Sequence, residues 1–178
     1  MKNKNVSIGV SFGILIGLIY MILLFVRWMS AENMIRFGLL AAVNYLLVIG
    51  LLAYEAFYRR KLEGGFILLK DIFQTLFISV LIFELFYAIY NLIHLKYIDP
   101  EVIDRMKNAM REMMEKYKVP EEDAQKSMDK FNEFDNATKF GQVIKGYLTG
   151  VAISGVCAFI ISLIVRKKEP VFEENINL

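Results

Sequence analysis

The stretch FILLKDIFQTLFISVLIFELFYAIYNLIHL, residues 66–95, decides the fold. It exceeds the ~20 apolar residues that a helix needs to cross a bilayer, and it carries an acid, Glu84, close to its middle. Residues 6–27, 35–57 and 143–165 are runs of the same kind. Inside a bilayer the backbone must satisfy its own hydrogen bonds, so each run is expected to be a helix. The prediction is an all-α chain: a four-helix transmembrane bundle, with residues 1–178 as a single membrane domain.

Composition agrees. Hydrophobic residues make up 56% of the chain, against ~45–50% in soluble domains, and the mean hydropathy is +0.43. There is one cysteine, Cys157, and one histidine, His94. A disulfide framework, a Cys-based zinc site and a multi-histidine metal cluster are therefore excluded. The N-terminus has Lys2 and Lys4 before an apolar stretch, as a signal peptide would. That stretch, Val6 to Val26, outlasts the ~7–15 residues of a signal h-region, and Arg27-Trp28-Met29-Ser30 offers no small-residue cleavage site. A retained first span is expected.

Lys and Arg next to span ends set orientation. Lys2 and Lys4, then Arg59, Arg60 and Lys61, then Arg166, Lys167 and Lys168 fall in three segments that share one side of a four-span chain. That side is expected to be the cytoplasm, with both termini in it. The first turn, with Arg27, Glu32 and Arg36, and residues 96–142 are expected outside. Trp28, Tyr58, Tyr97 and Tyr147 lie near span ends, where amphipathic rings favour the interface.

The outer segment carries helix signals. Asp99-Pro100-Glu101 reads as N-cap, first helical position and first-turn acid. Val102, Ile103, Met106, Met110, Met113 and Tyr117 follow at helical spacing. Val119-Pro120-Glu121-Glu122-Asp123 breaks and restarts the chain, and Ala124, Met128, Phe131 and Phe134 mark a second amphipathic helix. An extracytoplasmic helical hairpin between spans three and four is the expectation. Neither helix is long enough to be stable alone in water, so each must pack on its neighbour, the bilayer or a partner.

Four spans, Tyr97-Ile98-Asp99-Pro100 after the third, a Met-rich helix, the Val119-Pro120-Glu121-Glu122 restart and a basic end to span four resemble the domain of unknown function 4199 family. These are small inner-membrane proteins of Bacteroidetes-type bacteria, and the resemblance covers nearly the whole chain. It implies a bacterial inner membrane. It brings no catalytic or binding residues, because the family has no established function.

Glu84 lies roughly 14–16 Å below the outer end of span three, at 1.5 Å per residue. A charge at that depth costs a few kcal/mol at least. Tyr87, Asn91 and, at the edge, His94 share its face, and Asn44, Tyr20 and Ser154 reach a similar depth in the other spans. One reading is a proton, cation or polar-ligand site built on Glu84, Asn44, Tyr87, Asn91 and Tyr20. The other is a neutral acid hydrogen-bonded to Asn44 or Tyr20 that holds the bundle together. Proton-coupled transport ordinarily uses more than one such acid, and the mid-membrane set has one. Glu55 is expected to form an interfacial ion pair with Arg59, four residues on. Lys70-Asp71 is expected to be snorkelling interface charge.

Gly9, Gly13 and Gly17 form a small-residue stripe on span one. Gly146, Gly150, Ser154, Ala158 and Ser162 form another on span four. Small residues let helices approach closely within lipid, so spans one and four are expected to pack on each other or on their neighbours; a homodimer or partner surface is the alternative. His94 is expected to be an interface residue, and Met106, Met110, Met113 and Met114 one packing face rather than a copper site. Residues 96–139 hold nine Lys+Arg and eleven Asp+Glu, which gives no reason to propose nucleic acid. No Gly-rich phosphate loop precedes a helix, and no converging nucleophile and base stand out.

The expectation is a non-enzymatic interaction or structural membrane protein without catalytic, cofactor-binding or metal-binding residues. A small transporter or channel-like component around Glu84 is the alternative. The expected partners are the lipid bilayer and other membrane or extracytoplasmic proteins, or a second copy of the chain.

Overall fold

The computed structural model describes residues 2–132 and 136–167, apart from the side chains of Lys2, Asn3, Lys130 and Phe131. The expected roles of Phe131, Phe134 and Lys168 lie outside the described residues. Six α-helices follow in order: α1 (Lys2–Trp28), α2 (Met34–Leu62), α3 (Leu69–Ile93), α4 (Val102–Lys116), α5 (Glu121–Asn132) and α6 (Phe140–Val165). The four long ones, α1, α2, α3 and α6, are apolar enough to cross a membrane. Their outer faces carry side chains such as Ile22, Leu46, Leu85 and Ile164 in the open, as lipid-facing surface requires.

Local chemistry sets the helix ends. Asn33 caps α2 by accepting from the Arg36 N–H at 2.9 Å. Arg59, Arg60 and Lys61 fill its last turn, where cations offset the carbonyl end of the helix dipole; α2 thus runs past the expected end at residue 57. Gly64 and Gly65, at φ 71° and 95°, take a backbone conformation that only glycine enters cheaply. Ile67 then pairs with Lys167 through two backbone hydrogen bonds of 2.8 and 3.2 Å. Residues 66–68 are therefore not helical, and α3 begins three residues later than expected.

Helix α3 is the hub. Helix α1 packs on one side of it and α6 on another, while α2 touches α1, α6 and α3. Of the two arrangements expected for spans one and four, packing on each other or on their neighbours, the structure has the second: each packs on α3. Gly9, Gly13 and Gly17 all face α3. A Cβ at Gly9 would stand 2.6 Å from the Thr75 carbonyl oxygen, one at Gly13 2.8 Å from Ile82 Cβ, and one at Gly17 2.7 Å from Phe86 Cγ. Any side chain at these positions would push α1 off α3. On α6 the stripe is shorter than expected. Nothing lies within 4 Å of a Cβ at Gly146, so that residue makes no packing contact within the bundle, whereas Ser154, Ala158 and Ser162 are buried.

Between α3 and α4, residues His94–Ile98 form a wider π-helical turn. Helix α4 docks on the α1–α2 turn, with Val102 and Met106 buried against Ala31. The expected cap at Asp99 is not made. Its carboxylate pairs with Arg105 instead, which also meets Glu32 at 3.0 Å. That pairing holds the Arg105 guanidinium above its usual range, chiefly through the Asp99 bond.

Candidate functional site

The polar interior follows a row that winds slowly along α3. Asp71, Thr75, Ser79, Tyr87 and Asn91 lie on one i±4 ridge, with Phe83 as its apolar break and Glu84 beside it. Three clusters hang on this row.

The first joins α1, α2 and α3 at the basic end. Arg59 is wholly buried. Its Nε and Nη2 donate to Asn5 Oδ1 at 3.1 and 2.5 Å, and its Nη1 donates to Glu63 Oε1 at 2.6 Å. Asn5, also buried, passes the network on: its Nδ2 donates to Asp71 Oδ1 at 3.0 Å and Gln74 Oε1 at 3.3 Å. Lys4 Nζ shares Glu63 at 2.9 Å. The bond from Lys4, followed by that from Arg59, holds the Glu63 carboxyl below the usual carboxylate range.

Glu55 departs from expectation. It does not pair with Arg59, which turns to Asn5 and to Glu63 at the edge of the bundle. A carboxylate is solvated there at less cost than in the interior. Glu55 is fully buried. Ser79 Oγ lies 2.6 Å from Glu55 Oε1 and 2.8 Å from the Gly9 carbonyl oxygen. A hydroxyl has one proton to give, so Ser79 either shares it between the two oxygens or accepts from a protonated Glu55 carboxyl while donating to the Gly9 carbonyl. Glu55 Oε2 has no partner among the described residues.

The second cluster is at Glu84, which is 4% exposed. Ser154 Oγ on α6 donates to Glu84 Oε1 at 2.6 Å. Gly150 makes room for the carboxyl: a Cβ there would stand 2.8 Å from Glu84 Cδ. The expected partners are otherwise engaged. Asn44 Nδ2 donates to the Leu23 carbonyl at 3.3 Å. Tyr20 stacks on Tyr87 at 5.4 Å and meets Phe83 edge-on at 6.3 Å. A cavity of about 20 Å³ touches Tyr20, Leu52, Phe83, Glu84, Ser154 and Cys157. That is space for about one water molecule.

The third cluster closes the other end. Asn91 accepts from Trp28 Nε1 at 3.0 Å and donates to the Tyr87 carbonyl at 2.9 Å. His94, expected at the interface, is buried beneath Trp28, with ring centroids 4.9 Å apart. The π-helical turn carries it inward. Tyr147 reaches from α6 to donate to the Leu81 carbonyl at 3.2 Å, a helix contact rather than a simple interfacial ring.

The structure thus places Glu84 against Ser154 and Gly150, Tyr20 against Tyr87, Asn91 on Trp28, and Asn44 on α1. They share one interior without forming one hydrogen-bonded site. Sequence reasoning missed Asn5 and Ser79, and it paired Glu55 and Arg59 with each other instead of with these two. Their signal was an Asn at the edge of the first run and a Ser within the third. Among the described residues, no group of three or more His, Cys, Asp or Glu is placed to hold a metal ion.

No curated protein and no solved structure matches the chain. Residues 10–167, which take in α1 from its third turn and all of α2 to α6, match the family model described as protein of unknown function (DUF4199); the chain belongs to that family of unknown function.

Proposed function

We propose that this multi-pass membrane protein is a non-enzymatic structural or interaction component of a bacterial inner membrane. Both termini lie in the cytoplasm, and residues 96–142 lie on the opposite side as a helical hairpin. The observation that carries this reading is how the interior polar groups are spent. Arg59, Asn5, Ser79, Ser154, Asn44 and Asn91 all bond across helices or to helix backbone, and the space beside Glu84 admits about one water. The sidedness is supported by the basic residues Lys4, Arg59, Arg60, Lys61, Arg166 and Lys167 at one end of the bundle. At the other end Tyr97, Tyr117 and Phe140 are 70%, 60% and 81% exposed, an apolar fringe suited to headgroups or a partner protein.

Single cysteines at Lys61 and Ser127, in a Cys157→Ser background, test the topology. An impermeant thiol reagent on cells with a permeabilised outer membrane should label position 127 and spare position 61. The opposite pattern inverts the protein. Transport is the second reading, favoured by one observation: Glu55 is a second buried acid. Liposomes holding the purified protein should show no more proton or sodium flux than empty ones. A flux that disappears in Glu84→Gln or Glu55→Gln would replace the structural reading with a transporter.

A further inference from the structure

The basic end of the bundle contains a surface cavity outside the clusters described so far. It has a volume of about 480 Å³ and is lined by Phe57, Arg60, Lys61, Gly64 and Gly65. The two glycines leave it open, since no atom lies within 4 Å of a Cβ at either. Its floor is apolar. The Arg60 guanidinium lies 5.2 Å from the Phe57 ring centroid, and its Nη1 donates to the Val165 carbonyl at 3.3 Å. This bond ties the cavity to the end of α6. The Ile67–Lys167 backbone pair sits beside it and places Lys167 Nζ 5.3 Å from the Phe66 ring.

Among the described residues, the nearby acids are already engaged. Glu63 is bonded to Lys4 and Arg59, and Asp71 accepts from Asn5. Lys61 has no ion-pair partner among the described residues. Part of this positive charge offsets the carbonyl ends of α2 and α6. A glycine-opened, cation-rimmed hollow walled on one side by Phe57 goes further than that task needs. It stands where the transmembrane helices end, the level at which lipid phosphates lie.

We propose that this cavity binds a phosphate group, supplied by the headgroup of an anionic phospholipid. Arg60 and Lys61 contact the phosphate oxygens, Phe57 and Phe66 border the glycerol and upper acyl carbons, and Gly64-Gly65 keeps the entrance clear. The site holds whichever side of the membrane this end faces, so it stands apart from the topology proposed above.

The test is a binding titration of the full chain in neutral detergent, read by native mass spectrometry and thermal stability. The probes are phosphatidylglycerol, phosphatidylcholine and inorganic phosphate. Phosphatidylglycerol should stay bound and raise the melting temperature, and phosphatidylcholine should not. Each basic residue near a lipid surface contributes about 1 kcal/mol, so Lys61→Gln should weaken phosphatidylglycerol binding about fivefold. Arg60→Gln should weaken it at least as much. Lys61 makes no contact that the fold needs, so its variant keeps the test valid if Arg60→Gln misfolds. Lys145→Gln, exposed at the opposite end, should bind like the parent. If inorganic phosphate matches phosphatidylglycerol, the phosphate site stands and its source is the free ion. Equal binding of the two lipids, or an unchanged affinity in Lys61→Gln, overturns the proposal.

Discussion

Two seams on α3 each hold a buried acid, and they are built differently. In the α1–α3 seam, Gly9 and Gly13 bring backbone against backbone, Gly17 lies against the Phe86 side chain, and Glu55 reaches in from α2 to Ser79. In the α3–α6 seam, one glycine makes room for a side chain, and Glu84 is received by Ser154 on the helix that needed the room. The first seam has no slack, because Gly9 and Gly13 oppose main-chain atoms and Cβ atoms of Thr75, Ser79, Ile78 and Ile82. The second has some, because the atom opposite Gly150 is the far end of a flexible side chain. A glycine stripe therefore does not report one kind of contact. What faces each glycine decides its worth.

The largest effect expected is at Gly13. Gly13→Leu should prevent assembly or cost at least about 3 kcal/mol, the upper range for overpacking. Gly150→Ala should cost about 1 kcal/mol as the Glu84 carboxyl swings aside. Gly146→Leu should cost nothing measurable. Thermal melts in detergent rank the three, and a Gly146→Leu loss as large as that of Gly13→Leu would erase the distinction between the seams.

Arg59→Leu should come next, at about 2–3 kcal/mol, since it strands buried Asn5 and removes charge-assisted bonds. A double-mutant cycle with Asn5→Ala should show strong coupling. Additive losses would mean that the network does not act as a unit.

Removing either acid should matter less. Glu55→Gln and Glu84→Gln should both fold with near-parental stability, because an amide keeps a donor and an acceptor. Glu84→Leu should lose about 1 kcal/mol or less, the usual scale of hydrogen bonds between membrane helices. Glu55→Leu should lose a similar amount, because Ser79 retains the Gly9 carbonyl. A loss several times larger for either Gln variant would show that the charged form is the one required.

The smallest effect is a pH dependence at Glu63. Its folded-state pKa is lowered, so its ionised form is the one bonded to Lys4 and Arg59. Its contribution should be complete above the ordinary carboxylate range and fade as pH falls through the lowered value. Glu63→Gln should flatten the acid side of the stability curve. A curve of unchanged shape refutes the assignment.

The spans and the α1 stripe were legible because they follow from run length and periodicity. Glu55 was not. An acid four residues from an arginine on one helix has a ready local explanation, and only the position of α1 shows that Arg59 is taken by Asn5. Gly146 failed for the converse reason: periodicity identifies a face, while the neighbour's path decides how far along that face contact extends. The start of α3 was misplaced because Ile67 pairs with a residue a hundred positions later, a long-range bond that no local pattern reveals.

The seam between Glu84 and Ser154 also has a history, set by the order of synthesis. Helix α3 ends at Ile93 and α6 begins at Phe140. At ~5–20 residues per second, the intervening chain takes about two to nine seconds to make. During that interval α1, α2 and α3 are complete, while the α3 face that carries Glu84 has no helix to receive it. The acid that fastens the finished bundle is thus a lipid-exposed polar mark on the unfinished one. A chain truncated at Lys139 should be degraded quickly in a pulse-chase experiment, and Glu84→Leu should lengthen its half-life, the reverse of its effect on the complete protein. Equal half-lives would mean that the cell does not read this acid as a sign that the last helix is missing.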